Sequence, residues 1–311
     1  MGQGMSEKKR KQLIELAVDI QQNPVVKYED RTYVARELVQ LTLPHRQPAK
    51  VNNQVPPVWT RRNGDLTLIV KPGYQVDQAS GEINCLGYPS GAIPRLLIFW
   101  LNSEVVKHKT LRVELDGSYN EFLRRIGFDP RTGGGVRGDA KRVAREAQRL
   151  FRSTISFEHA TDNARTWVDM PVAQKGSVWW DVKKPDQENL FTSWIELGED
   201  FYNCLIQNPV PLDSRILSYF RASPLGLDIS AWLSHRIFSA EMKGQPSKIT
   251  WHQMLGQFGA GYNCPKNFKK SAKPIFEKLK VLVPKLGVEV VSGGITISPN
   301  GQLLSNERSY S

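Results

Sequence analysis

The stretch Asn263–Lys285, NCPKNFKKSAKPIFEKLKVLVPK, carries two patterns at once, and together they leave few ways to fold it. On a 3.6-residue period Phe268, Ala272, Ile275, Leu279 and Leu282 recur at steps of four, three, four and three, so they share one face of a helix. Lys266, Lys269, Lys270 and Lys273 share another. Seven lysines stand against the single Glu277, so a helix here buries one side and keeps a strongly positive side wet. Pro274 has no N–H for the carbonyl of Lys270 and predicts a kink or break there, which leaves the lysine-rich first two turns intact.

The residues that follow narrow the choice further. GVEVVSGGITISP reads as two short strands, Val288–Val291 and Ile295–Ser298, turned by Ser292, Gly293 and Gly294, where glycine supplies the positive φ of a tight hairpin. Upstream, SKITWHQMLGQFGAG predicts a short helix from about Thr250, whose hydroxyl can cap it, to Phe258, ended by Gly259 and Gly261. Further back, Ile229, Leu233 and Ile237 recur at i, i+4 and i+8 beside Trp232, as in a supporting helix, and SWIELGEDFYNCLIQ supplies a strand and another helix. Supporting helix, short helix, basic helix and hairpin is the order of a winged helix.

The same order stands earlier in the chain. Ala92–Lys107 is a long apolar helix with Pro94 in its first turn, and Leu111, Val113 and Leu115 alternate as in a strand. Ser118 and Glu121 form a capping box for a short helix. After the loop DPRTGGGVRG, Ala140, Val143, Ala147 and Leu150 make an apolar stripe while Lys141, Arg145, Arg149 and Arg152 run along the other side. STISFEHA, RTWVDMPVAQ and SVWWDVKK then read as strands of a small sheet or enlarged wing packed by Trp167, Trp179 and Trp180. The fold class is therefore α+β, with two tandem winged-helix domains at residues 61–185 and 190–300 joined near VKKPDQEN, and a tail at 301–311. Residues 1–60 form an N-terminal arm, in which SEKKRKQLIELAVDIQQ is an exposed amphipathic helix and Pro44, Pro48, Pro56 and Pro57 mark a linker.

Charge distribution points to the kind of partner. The net charge is +11, of which +6 falls between Lys266 and Lys285 and +4 between Arg137 and Arg152, so two short segments in a nearly neutral chain create localised fields for a polyanion. With 311 residues, 40% of them hydrophobic, the chain can build two domain cores. Its longest apolar runs, such as Leu96–Leu101, are too short to span a membrane, and MGQGMSEKKRK leads into no secretory core, which predicts a cytoplasmic protein.

Catalytic chemistry finds little footing. Cys85, Cys204 and Cys264 are isolated, without metal or redox spacing. Gly133 and Gly138 have the glycine spacing of a phosphate loop, but Asp139 and Ala140 follow where lysine and a hydroxyl are needed. His45, His108, His159, His235 and His252 are scattered, and Glu114 with Asp116 is a single acidic pair. We expect no metal, no cofactor and binding without catalysis.

GAIPRLLIFWLNSE, the block SYNEFLRRIG…GGGVRGDAKRVAREAQRLFRSTISF, DSRILSYFRASPLGLDISAWLSHR and the end TWHQMLGQFG…FKKSAKPIFEKLK…GVEVV, taken in order, resemble the RepA-type plasmid replication initiators over residues 60–300. That resemblance implies tandem winged helices by which monomers bind repeated origin DNA (iterons), a homodimer that represses its own gene, and recruitment of the host initiator and replicative helicase. The expected contacts in the second domain are Lys266, Asn267, Lys269, Lys270 and Lys273 in a major groove, with Ser292 and Gly293 at the wing tip. In the first domain Arg137, Lys141, Arg142, Arg145, Arg149 and Arg152 are expected to face DNA one helical turn away; the resemblance implies that this domain can serve dimerisation as well, with its arginines partly paired to Glu146. A winged-helix repressor and a metal-dependent nickase are the alternatives, the latter recognisable by Mg²⁺-dependent strand cleavage.

Overall fold

A computed structural model describes residues 6–27, 31–115, 118–128, 138–178, 193–259, 261–262 and 264–303. The chain forms two compact units, one spanning Leu41–Pro209 and the other composed of Met1–Gln40 with Val210–Ser311.

In the discontinuous unit the supporting helix is Pro224–Lys243, capped by Ser223 and closed by Gly244 in the left-handed region. Its Ile229, Trp232, Leu233 and Ile237 are buried as their spacing predicts. Strand Ser247–Thr250 leads into helix Trp251–Phe258, where Thr250 and Gln253 form a full capping box. The basic helix follows as Pro265–Leu282, burying Phe268, Ala272, Ile275, Phe276, Leu279 and Leu282. It runs through Pro274 without the break that proline allows there. Pro274 is exposed, so the carbonyl its ring leaves without a helical donor opens to solvent.

Strands Val288–Val291 and Gly294–Ile297 pair antiparallel, and Gly294–Ile297 also pairs with Ser247–Thr250, giving a three-stranded sheet with the last strand in the middle. That arrangement is a winged helix. The hairpin is tighter than its sequence suggests, with Val291 opposite Gly294, and neither Gly293 nor Gly294 adopts positive φ. Gly294 is needed for another reason: a Cβ there would lie 2.0 Å from the Ile249 carbonyl oxygen on the neighbouring strand.

Residues up to Gln40 are part of this unit instead of standing off as an arm. Helix Glu7–Gln22 buries Leu13, Ala17 and Ile20 and packs on the basic helix and on helix Ser214–Phe220. Arg215 fastens it, donating to Asp19 Oδ2 at 3.3 Å and to the Asn23 carbonyl at 3.0 Å while holding Asp213 at 2.8 Å. Strand Arg31–Ala35 pairs with Pro209–Asp213, and helix Arg36–Gln40 packs on Pro224–Lys243.

The other unit is built on helix Ala92–His108, buried along most of its length. Strand Arg112–Glu114, the capping-box helix Tyr119–Arg125 and the basic helix Asp139–Phe151 follow in the predicted order. The hairpin Thr154–Ala160 and Arg165–Pro171 does not stand alone: Leu66–Lys71 and Trp59–Asn63 extend it into a four-stranded antiparallel sheet. A second hairpin, Gly73–Val76 with Ile83–Gly87, joins the unit. Trp194–Leu197 pairs with Arg112–Glu114 on one side and Ala173–Ser177 on the other, so this strand and helix Glu199–Gln207 complete the first unit, although sequence order puts them at the start of the second. Trp167 does not pack the sheet but is 71% exposed, because strand alternation turns Met170 inward and Trp167 outward. Trp179, Trp180 and the VKKPDQEN joint lie outside the described residues.

The proline-rich stretch is ordered too. Buried Arg95 donates to the carbonyls of Leu43 (2.6 Å) and Pro44 (3.3 Å), and the Gln47 side chain bonds the backbone of Tyr88. Tyr88 donates its hydroxyl to the Pro56 carbonyl at 2.6 Å, and burial pushes its pKa up to about 12, which keeps it a donor. Among the described residues no helix is long and apolar enough to cross a membrane.

Candidate nucleic-acid interface

The apolar stripe of Pro265–Leu282 fixes which way its lysines point. With Phe268, Ala272 and Phe276 fully buried, Lys266, Asn267, Lys270 and Lys273 are all exposed on the opposite side. Aromatic contacts lock the helix in rotation: Tyr262 meets Phe268 edge-on at 5.5 Å, Trp251 meets Phe276 at 6.4 Å, and Trp232 holds Phe258 of the preceding helix at 5.4 Å. Pro265 occupies the first turn and the Cys264 side chain makes no cap, so this end of the helix adds its own positive potential to the lysines.

Lys269 behaves differently from its neighbours. It is half-buried, donates to the Ser292 carbonyl at 3.0 Å, and its ammonium stands 5.7 Å from the centre of the Trp251 ring. The Trp251 indole N–H donates to the same carbonyl at 3.1 Å, and the Trp251 backbone N–H to Gly293 at 3.0 Å. The wing tip is thus tied to both helices, with Ser292 and Gly293 themselves exposed. Lys269 bridges the lysine helix and the wing. Nothing in the sequence shows that Trp251 holds the wing tip, because an aromatic at the start of a short helix reads as core.

In the other unit the basic helix Asp139–Phe151 divides its charges. Arg137 lies outside the described residues. Lys141, Arg142 and Arg145 are exposed, with Arg142 in a surface pair to Asp139 at 2.9 Å that carries little energy. Arg149 instead turns inward: it meets buried Glu146 at 2.5 Å and donates to the Leu86 carbonyl at 2.6 Å. Arg152 is exposed yet donates to the Tyr74 carbonyl at 3.0 Å. These two arginines secure the hairpin Gly73–Val76/Ile83–Gly87, which leaves Lys141, Arg142 and Arg145 as the outward basic face. Arg149→Ala should lower stability by about 1–2 kcal/mol, less than for a fully isolated buried charge, because the Ser90 N–H (3.2 Å) and Arg145 (3.8 Å) remain on Glu146. Thermal melting checks this, with Lys141→Ala expected to leave the transition where it is.

Comparison with known proteins follows the same elements. The family model described as "Plasmid encoded RepA protein" matches residues 88–253, from just before helix Ala92–His108 into helix Trp251–Phe258 and so ahead of the lysine-rich helix. No curated protein matches the chain. The crystal structure of domains 2 and 3 of RctB is similar at 10% identity and a TM-score of 0.46, covering 83% of this chain and 93% of that one.

Proposed function

The chain belongs to the RepA family of plasmid replication initiators, and from that premise we propose that it binds repeated sequences at a plasmid origin through its winged helices, without catalysis. The observation that carries the reading is the open face of Lys266, Asn267, Lys270 and Lys273, held beside a wing whose tip Lys269 and Trp251 anchor. A helix of this kind enters a major groove by its first turns. Asn267 can pair bidentately with adenine, and a lysine can donate to guanine O6 and N7, while the remaining ammonium groups neutralise phosphates and set register. Lys141, Arg142 and Arg145 supply a further contact from the other unit. Dimerisation with repression of its own gene, and recruitment of the host initiator and replicative helicase, complete the proposed role.

Footprinting on DNA adjoining the gene is the direct test. Protected direct repeats are the expected result, and the absence of any protected repeat overturns the reading. Binding to those repeats should weaken steeply with salt: six to ten neutralised phosphates give a slope of log K on log salt of about −5 to −9. A slope near zero removes the electrostatic premise.

A further inference from the structure

The exposed face of the lysine helix has two borders. Taking Lys270 as its centre, Lys269 lies about 100° around the helix on one side, and Lys278 about 80° around on the other. Lys269 leads to the wing through Ser292. Lys278 is half-buried, with its ammonium 6.0 Å from the centre of the Tyr219 ring, on the border where the N-terminal helix packs. The N-terminal helix packs along this helix, and burial, then the charge of Lys9, hold the Lys278 pKa below the ordinary lysine value.

The first turns of that N-terminal helix are unusual in their own right. Lys8, Lys9, Arg10 and Lys11 follow one another, all exposed, at the end of a helix where the macrodipole disfavours positive charge. Glu7 is the only acid in the first turn, and Ser6 makes no side-chain cap. Lys11 has only a loose surface contact with Glu15 at 3.8 Å, and among the described residues no carboxylate pairs with Lys8, Lys9 or Lys278. Lys8, Lys9 and Lys11, set against a dipole and on a helix that packs beside Lys278, are unfavourable in the free protein and become favourable against a polyanion.

We infer that Lys8–Lys11 form an additional DNA contact within this unit, in which the N-terminal helix grips the phosphate backbone bordering the major groove on the side opposite the wing. The basic helix is then flanked on both sides, by the wing at Ser292–Gly293 and by this clamp. The inference rests on the reading that Lys266, Asn267, Lys270 and Lys273 face DNA.

The test compares the full chain with K8Q/K9Q/R10Q/K11Q by anisotropy titration on a duplex carrying one protected repeat, from 50 to 300 mM salt. Up to four lost phosphate contacts should make the salt slope shallower by about 2–4 and lower affinity at least tenfold near physiological salt, with base preference retained. Thermal stability should be equal or slightly higher, because cations leave a helix N-terminus. K243Q/K248Q, on exposed positions of the same unit, should bind as the unaltered chain does. If the fourfold variant melts lower, K8Q/K11Q carries the comparison, with half the change in slope expected. Unaltered slope and affinity, or an equal loss in the control, overturn the clamp. The Lys270→Glu variant separates the two readings: if it loses binding while the fourfold variant does not, the clamp alone falls, and if it binds normally the groove contact itself falls.

Discussion

Reversing the charge of Lys270 should reduce affinity for the origin repeat about 100-fold while leaving the fold intact. Lys270 is exposed at the middle of the open face, one turn from Lys266 and Lys273, and is not one of the buried stripe. Glutamate and lysine have similar helix propensities, so the helix itself loses little. At a groove the substitution removes one attractive contact and adds repulsion from the phosphates, together about 2–3 kcal/mol, and each 1.4 kcal/mol is tenfold in binding. Lys285→Glu is the matched control. It makes the same change in net charge on an exposed residue beyond the end of the helix, and should cost less than about threefold. Anisotropy titration of both variants at fixed salt reads the difference. Equal losses would mean that only the overall field matters, and no loss in Lys270→Glu would move the contact elsewhere.

The second large effect concerns the wing and involves no charge at all. Gly294→Ala should destabilise the discontinuous unit by about 2–3 kcal/mol, lowering its melting temperature by about 5–10 °C, and weaken repeat binding in parallel. The new methyl group would stand 2.0 Å from the Ile249 carbonyl oxygen and 2.8 Å from the Thr250 Cα. Both obstacles are backbone, so the two strands must part. That movement disturbs the bonds from Trp251 to Gly293 and Ser292 which anchor the wing tip. Gly293→Ala is the contrast: a Cβ there meets nothing within 4 Å, so stability should change little. If both alanines behave alike in a melting experiment, the close approach at Gly294 is not what the glycine serves.

Much of the second winged helix was legible because its signals are local. A capping box needs two side chains three residues apart; the box at Ser118 forms as read, and Thr250, read as a hydroxyl cap, caps its helix and completes a box with Gln253. The stripe of Phe268, Ala272, Ile275, Leu279 and Leu282 identified the buried face by spacing alone. Errors arose where one residue type serves two purposes. Glycine at 294 is compatible with positive φ or with close strand approach, and only the neighbouring strand distinguishes them. Prolines between Leu41 and Val58 read as a linker because the partners that order them, Arg95 and Tyr88, lie far along the chain.

Sequence by itself determined the succession of helices and hairpins, the caps that start them, and the positive face of Pro265–Leu282, since periodicity and capping act within a few residues. Tertiary structure alone decided the rest. It closed strand Arg31–Ala35 on Pro209–Asp213, laid helix Glu7–Gln22 along the lysine helix, and turned Arg149 inward to Glu146 while Lys141 stayed out. Each of these depends on which distant surface meets an element, and a single sequence carries no local trace of that meeting: the same amphipathic stripe can face any partner of matching shape, and the same arginine can reach a carboxylate or a phosphate.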